Sequence, residues 1–209
     1  MPACPLCSSN ATYHFHRDAQ RDYFRCRVCD LIAVPPGQRL DPEAEKAVYD
    51  QHDNRPDDPR YRAFLSRLFI PLSQRLKAGA EGLDFGAGPG PTLSLMFAEA
   101  GFPTQIHDPF FHPNPTALAQ QHDFITASEV VEHLFAPGKI LETLVMCLKP
   151  GGWLGVMTKR TPEDFSAWHY KQDPTHVVFF SEASFVWLAR KHDLDLTFPG
   201  PDVVLLQRL

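Results

Sequence analysis

Gly82-Leu83-Asp84-Phe85-Gly86-Ala87-Gly88-Pro89-Gly90 is an apolar run that carries one acid and then spills into glycines. Leu83 to Phe85 suit a buried parallel strand. Gly86, Gly88 and Gly90 let the backbone turn sharply and approach a ligand without side-chain interference. Residues 91–100 read as the helix that follows. A G-x-G-x-x-G dinucleotide loop does not fit, because it needs glycine at 91 or 93 and the chain has Pro91 and Leu93. No Lys-Ser/Thr pair follows the glycines, so the P-loop that cradles nucleotide phosphates is absent as well.

Three further stretches follow in order. Thr104 to His107 is a strand candidate ending at Asp108, whose carboxylate is a two-oxygen acceptor. Residues 123–134, Asp-Phe-Ile-Thr-Ala-Ser-Glu-Val-Val-Glu-His-Leu, read as a strand and the loop after it. In Leu148-Lys-Pro-Gly-Gly-Trp-Leu154, Pro and Gly stop a helix and residues 153–157 continue as an apolar strand. Together with the glycine turn, these motifs resemble the class I S-adenosylmethionine-dependent methyltransferases of the methyltransferase domain 23 type, similar to ubiquinone-pathway methyltransferases. The resemblance covers residues 80–209. It implies an α/β, Rossmann-like, mostly parallel sheet with an antiparallel C-terminal hairpin, built here from residues 194–198 and 203–206 after a helix over 181–192. It also implies S-adenosyl-L-methionine as cofactor, with Asp84, Phe85, Gly86, Ala87, Gly88 and Gly90 around the methionine part and Asp108 on the ribose hydroxyls. Pro109 and Phe110 fall at the adenine, and Ser128 and Glu129 fall where the loop after the fourth strand meets the cofactor.

One departure from that pattern stands out. Only fifteen residues separate Asp108 from Phe124, where the usual fold inserts a helix and a third strand. Pro109, Pro113 and Pro115 forbid a regular helix there, so a trimmed sheet edge is expected. Gln120 or Gln121 could replace the missing adenine-binding acid. Phe110 or Phe111 either stacks on the adenine or patches the sheet edge.

Cys4-x-x-Cys7 and Cys26-x-x-Cys29 are separated by eighteen residues, enough for a hairpin with strands near 12–15 and 23–25. This spacing reads as a four-thiolate zinc site resembling a zinc ribbon. Two disulfides or a redox pair are the alternatives, and neither has its expected context: no secretory signal is visible, nor a strand-helix redox motif. A closed four-cysteine shell is structural rather than catalytic. Cys147, beside Leu144 and Leu148, reads as inert core.

Methyl transfer needs a nucleophile placed in line and a dry site, with a base where the nucleophile is a hydroxyl. His176 is the first candidate base, because an unperturbed imidazole titrates near neutrality. Tyr170 and Trp168 are expected to flank the acceptor, and Asp173 or Glu132 to orient the base. The alternative is that the aromatics are core and His176 satisfies backbone groups. Glu129, Glu132 and His133 have E-x-x-E-H spacing, placing them near one helical face. That pattern is similar to the metal loop of small-RNA 2′-O-methyltransferases and of magnesium-using ubiquinone-pathway O-methyltransferases, which implies a possible Mg2+ completed by His176 or His169. Structural pairing of the same residues is the competing reading.

The 209 residues divide, on this reading, into a zinc-ribbon-like module (1–38), a helical linker or cover (39–79) and the methyltransferase domain (80–209). Helices are expected over 41–53 and 61–77, the second kinked by Pro71. Tyr49, His52, Asn54 and Arg55 either line the cofactor cleft or lie on the surface beside a linker. Residues 1–40 carry five Arg against three Asp, net +2, and the remainder is −7. Such a surface does not suit extended RNA. A small polar or metabolite acceptor is therefore expected, by O- or C-methylation. RNA docking through the ribbon and a non-catalytic interaction protein are the alternatives. No apolar run has membrane-span length and no signal segment is visible, so no membrane partner and a cytoplasmic location are expected.

Overall fold

The computed structural model of the chain describes residues 1–51 and 54–209. The N-terminal hairpin is β1 (Thr12–Arg17) and β2 (Asp22–Cys26), followed by the short β3 (Ile32–Ala33). Two helices follow, α1 (Pro42–Tyr49) and α2 (Pro59–Ser73). Each starts on an aspartate whose side chain accepts backbone N–H bonds, Asp41 for α1 and Asp58 for α2, with proline next in the first turn. Then come β4 (Gly82–Phe85), α3 (Thr92–Glu99), β5 (Thr104–His107), β6 (His122–Ser128), α4 (Pro137–Met146) and β7 (Leu148–Met157). The chain closes with β8 (Val178–Phe179), α5 (Glu182–Lys191), β9 (Leu194–Gly200) and β10 (Val203–Arg208).

The main sheet has six strands in the order β5-β4-β6-β7-β10-β9. β5, β4, β6 and β7 are parallel, and β10 pairs antiparallel with β7 and β9. β5 is an edge, as the short interval after Asp108 predicts. Residues 109–121 run beside it without a strand: Asn114 donates its backbone N–H to His107 Nδ1 at 3.1 Å and its side-chain amide to the Ile106 carbonyl at 3.2 Å. Gln120 pairs with Gln105 at 2.8 Å. On one face of the sheet, α2 and α3 bury Leu65, Leu68, Leu72 and Phe97 against Phe124, Met157 and Leu205. The positions 65, 68 and 72 form the apolar stripe of α2. Pro71 lies in the last turn of this helix, which ends at Ser73 rather than at Lys77. On the other face, Leu141, Leu144, Phe185 and Leu188 pack with Ile125, Leu154 and Leu206.

Two further boundaries differ from the sequence expectation. β7 already begins at Leu148, because His122 pairs with Leu148 and Phe124 with Trp153. The residues between form a bulge, with Gly151 at φ 77°. α1 ends at Tyr49, and His52 and Asp53 lie outside the described residues.

The cysteine-bearing segment is joined to the rest by backbone. Its sheet runs β1-β2-β3-β8, so a strand from the C-terminal half completes it through the pairs Ile32–Phe179 and Ala33–Val178. Tyr23, Ile32 and Val34 pack with Phe165, Tyr170 and Phe179 in a core of their own. At the other end, the Gly138 N–H donates to the Pro5 carbonyl at 3.2 Å, and a Cβ on Gly138 would sit 2.2 Å from the Leu6 carbonyl oxygen. Gly138→Ala is therefore expected to cost about 1–3 kcal/mol by forcing the two backbones apart, read as a fall of several degrees in Tm by calorimetry.

Candidate functional site

Parallel pairing brings the carboxyl ends of the central strands to one side of the sheet, where a cavity of about 740 Å³ opens. At one end lies the glycine turn. Gly86 and Gly88 have φ of 73° and 65°, and a Cβ on Gly86 would strike the Val130 side chain at 2.5 Å. Gly90 is required for a different reason: its Cα abuts the Asn54 carbonyl oxygen, which a Cβ would approach to 2.0 Å.

Phe85, Gly86, Ala87, Gly88, Asp108, Pro109, Phe110, Ser128 and Glu129 all line the cavity. Asp84 and Gly90 do not. Asp84 is buried beneath the turn, where Thr126 donates to it at 2.7 Å, and burial pushes its carboxyl up to about 7. Asp108 organises the turn: Oδ2 accepts from the Gly88 N–H at 3.0 Å, and Oδ1 accepts from the Phe110 and Phe111 N–H groups at 2.9 and 3.0 Å. The Ser128 hydroxyl is buried at the cavity wall without a hydrogen-bond partner among the described residues. A glycine cradle, a buried acid and an orphaned hydroxyl suit a polar cofactor.

The other end of the cavity is aromatic and titratable. Tyr49 meets Phe110 with ring centres 5.9 Å apart and His133 at 5.4 Å. Its hydroxyl donates to the buried Glu45 at 2.7 Å. Asn54 lines the cavity, and Arg55 lies outside it. Glu129 adopts a left-handed backbone, φ 52°, held by its N–H on the Met157 carbonyl at 2.7 Å. Such conformations in a non-glycine residue cluster at functional sites. Residues Val131–His133 form a 3-10 turn, so Glu129, Glu132 and His133 do not share the α-helical face that their spacing suggests. The Tyr170 hydroxyl instead bridges the two acids, bonded to Glu132 and 3.2 Å from Glu129. Having one proton, it can donate to only one of them at a time.

His176 is buried, with Nδ1 2.7 Å from the Tyr170 carbonyl. A carbonyl only accepts, so Nδ1 carries the proton and Nε2 keeps its lone pair. Burial, followed by the neighbouring His133, pushes His176 down to about 4, which keeps the ring neutral at physiological pH. Asp173 lies 3.8 Å from Nε2, while Trp168 packs on Phe165, Tyr170 and Phe179 and does not line the cavity. His169 lies near Lys159 at 3.0 Å.

Among the described residues, two groups have donor atoms placed within 4.8 Å of one another, as a metal requires. The first is Cys4, Cys7, Cys26 and Cys29, with Sγ–Sγ separations of 3.4 Å for Cys4–Cys29 and 3.5 Å for Cys7–Cys26. Tetrahedral zinc with ~2.3 Å Zn–S bonds needs thiolates roughly 3.8 Å apart, close to this arrangement. The second is Glu132, His133 and His176, which takes in the later histidine and leaves Glu129 out. Glu45 was not singled out by sequence. Its only signal was an acid four residues before Tyr49 on α1.

A family profile described as a methyltransferase domain matches residues 51–197. A ubiquinone biosynthesis O-methyltransferase from Proteus mirabilis is 30% identical over 78 residues, 37% of this chain and 32% of that protein, so the match spans about a third of the relative's length. The structure of a 1,6-didemethyltoxoflavin-N1-methyltransferase from Burkholderia thailandensis, with bound 1,6-didemethyltoxoflavin and S-adenosylhomocysteine, superposes with TM-score 0.52 at 17% identity, covering 93% of this chain and 98% of that one. An O-methyltransferase family protein from the same organism gives TM-score 0.53 at 16% identity, over 80% of this chain and 60% of its own. These two structures share the fold.

The buried acids set a pH dependence. Burial, then the charge of Glu132, pushes Glu129 up to about 8, and burial pushes Glu132 up to about 7. Between the ordinary carboxyl range and these values the folded protein holds more protons than the unfolded chain, so stability falls as pH rises. His176 acts oppositely, adding stability from about pH 4 to its ordinary 6.5 and nothing further above it. Tm is therefore expected to fall between pH 6.5 and 8, and Glu129→Gln to shrink that fall. A Tm that is flat across this range by scanning calorimetry would contradict the assignment.

Proposed function

This chain belongs to the methyltransferase-domain family, and from that premise we propose that it transfers the methyl group of S-adenosyl-L-methionine to a hydroxyl of a small, ring-bearing acceptor. The observation that carries the reading is His176, a neutral imidazole with an open Nε2 on the cavity that the glycine turn also lines. The cofactor, when bound, supplies an electrophilic methyl group. Gly86, Ala87 and Gly88 would hold its methionine end and Asp108 its ribose, and Ser128 would offer a further polar contact, since all of them line the cavity. Tyr49 and Phe110 wall the acceptor and exclude water. His176 Nε2 would take the acceptor's hydroxyl proton as the oxygen gains the methyl group, the carbon–sulfur bond breaking to leave S-adenosylhomocysteine. Tyr170 fixes the base through its carbonyl, while its hydroxyl bridges Glu129 and Glu132. His133 stands edge-on to His176, with ring centres 4.7 Å apart, and favours its neutral form.

A small acceptor is also supported by charge. Of the five arginines that make the N-terminal segment basic, Arg21 is buried, Arg25 pairs with Asp30 at 2.7 Å, and Arg39 donates to the Val34 and Phe135 carbonyls, while the exposed Arg17 lies 3.6 Å from Asp22 and the exposed Arg27 stands over the Tyr13 ring. They form no free basic stripe for RNA. Among the described residues no helix is long and apolar enough to cross a membrane.

Calorimetric titration is expected to detect S-adenosylhomocysteine binding, and absence of binding to folded protein would refute the reading. With labelled cofactor and catechol as acceptor, His176→Ala is expected to lower turnover by about a hundredfold or more while leaving S-adenosylhomocysteine affinity within about threefold. The four cysteines are proposed to hold structural zinc, so metal analysis should find about one zinc per chain.

A further inference from the structure

One buried cation joins the cysteine ribbon to the loop that presents His176. Arg21 lies in the turn between β1 and β2 and is 6% exposed. Its Nη1 donates to the carbonyls of His176 at 2.9 Å and Pro174 at 3.2 Å. Its Nη2 donates to the carbonyl of Asp173 at 3.1 Å and to that of Lys171. Four carbonyls of one irregular loop thus converge on one guanidinium. A loop has no ladder to satisfy such groups, and a buried arginine is costly unless its donors are used. At Nη1 and Nη2 each requirement answers the other, while Nε has no partner among the described residues.

The arginine is itself held from behind. Asp18 Oδ1 accepts the Arg21 backbone N–H at 2.9 Å, and Oδ2 accepts the Tyr23 hydroxyl at 2.7 Å. The far end of the loop is tied to the same ribbon, since the Val34 N–H donates to the Val177 carbonyl at 2.9 Å just before the β3–β8 pairing. On its other side the Val177 N–H donates to the Glu132 carbonyl at 2.9 Å. The loop from Tyr170 to Val177 is therefore clamped between the ribbon and the turn bearing Glu132 and His133.

We infer that Arg21 is a positioning residue for the acceptor loop, setting where Tyr170 and His176 stand in the cavity, and that the ribbon is part of the active-site scaffold. This rests on the reading of that loop as the acceptor wall. The test uses the full, metal-loaded chain with Arg21→Met, which keeps the aliphatic stem and removes the donors, and Arg21→Lys, which keeps the charge but not the fork. Hydrogen exchange is expected to speed up at least tenfold across residues 169–177 in Arg21→Met and by less in Arg21→Lys, with β6 and β7 unchanged. S-adenosylhomocysteine affinity by calorimetry is expected to stay within threefold. KM for catechol should rise or kcat fall at least tenfold, with partial recovery in Arg21→Lys. Unchanged exchange at 169–177 would overturn the inference whatever the acceptor. If Arg21→Met does not fold, wild-type exchange in Arg21→Lys does the same. A loosened loop with wild-type methyl transfer would also overturn it. Failure of the wild-type protein to methylate catechol counts against the acceptor class proposed above, and the exchange result still decides the clamp.

Discussion

The parallel pairing of β4 between β5 and β6 is the constraint from which the site follows. Phe85 lies beside His107, and Asp84 beside Thr126, so the three strands end at nearly the same level. The next residues on each chain are therefore neighbours: the glycine turn after β4, Asp108 after β5, Glu129 after β6. Antiparallel pairing would send alternate strand ends to opposite edges. Here every strand end that carries a cavity residue faces one way, and the Asp108 carboxylate reaches back to the Gly88 N–H to lock two of them together.

The acceptor end of the cavity is organised by a different economy, that of buried polar groups. Glu132, Tyr170 and His176 are withdrawn from water and Glu129 is half-buried beside them, and each finds a hydrogen-bond partner in the group. One tyrosine proton serves two acids and favours their charged forms, but burial outweighs it and the acids retain protons. The imidazole is held neutral by the same burial that raises the carboxyls. The low dielectric that sets both shifts also strengthens any charge that develops during reaction.

Much of this was legible in the sequence, because the features involved are local. The glycine turn needs positive φ at Gly86 and Gly88, and proline-rich residues after Asp108 cannot build a helix and strand. Four cysteines at C-x-x-C spacing bring their own geometry. What escaped the sequence is set by residues far apart in the chain. That Asp84 lies below the turn rather than in the cavity depends on Thr126 donating to it from β6. The spacing of Glu129, Glu132 and His133 suggested one helical face, but the left-handed turn at Glu129 rotates it away and His176 takes its place beside the other two. Trp168, expected beside the acceptor, is drawn into the aromatic core that Phe165 and Phe179 share with Tyr23. The ribbon read as a small N-terminal module because its four cysteines all fall within residues 4–29. Nothing local announces that its sheet ends on β8.

The loss of the third strand bears on how the molecule meets copies of itself. An edge strand ordinarily offers a row of unpaired backbone groups to any neighbouring chain. Along β5 the Ile106 carbonyl is occupied by the Asn114 amide, and the side chains of His107 and Gln105 are engaged by Asn114 and Gln120. The shortened segment thus works as a partial selvedge, taking up the edge carbonyl of Ile106 and holding the side chains on either side of it.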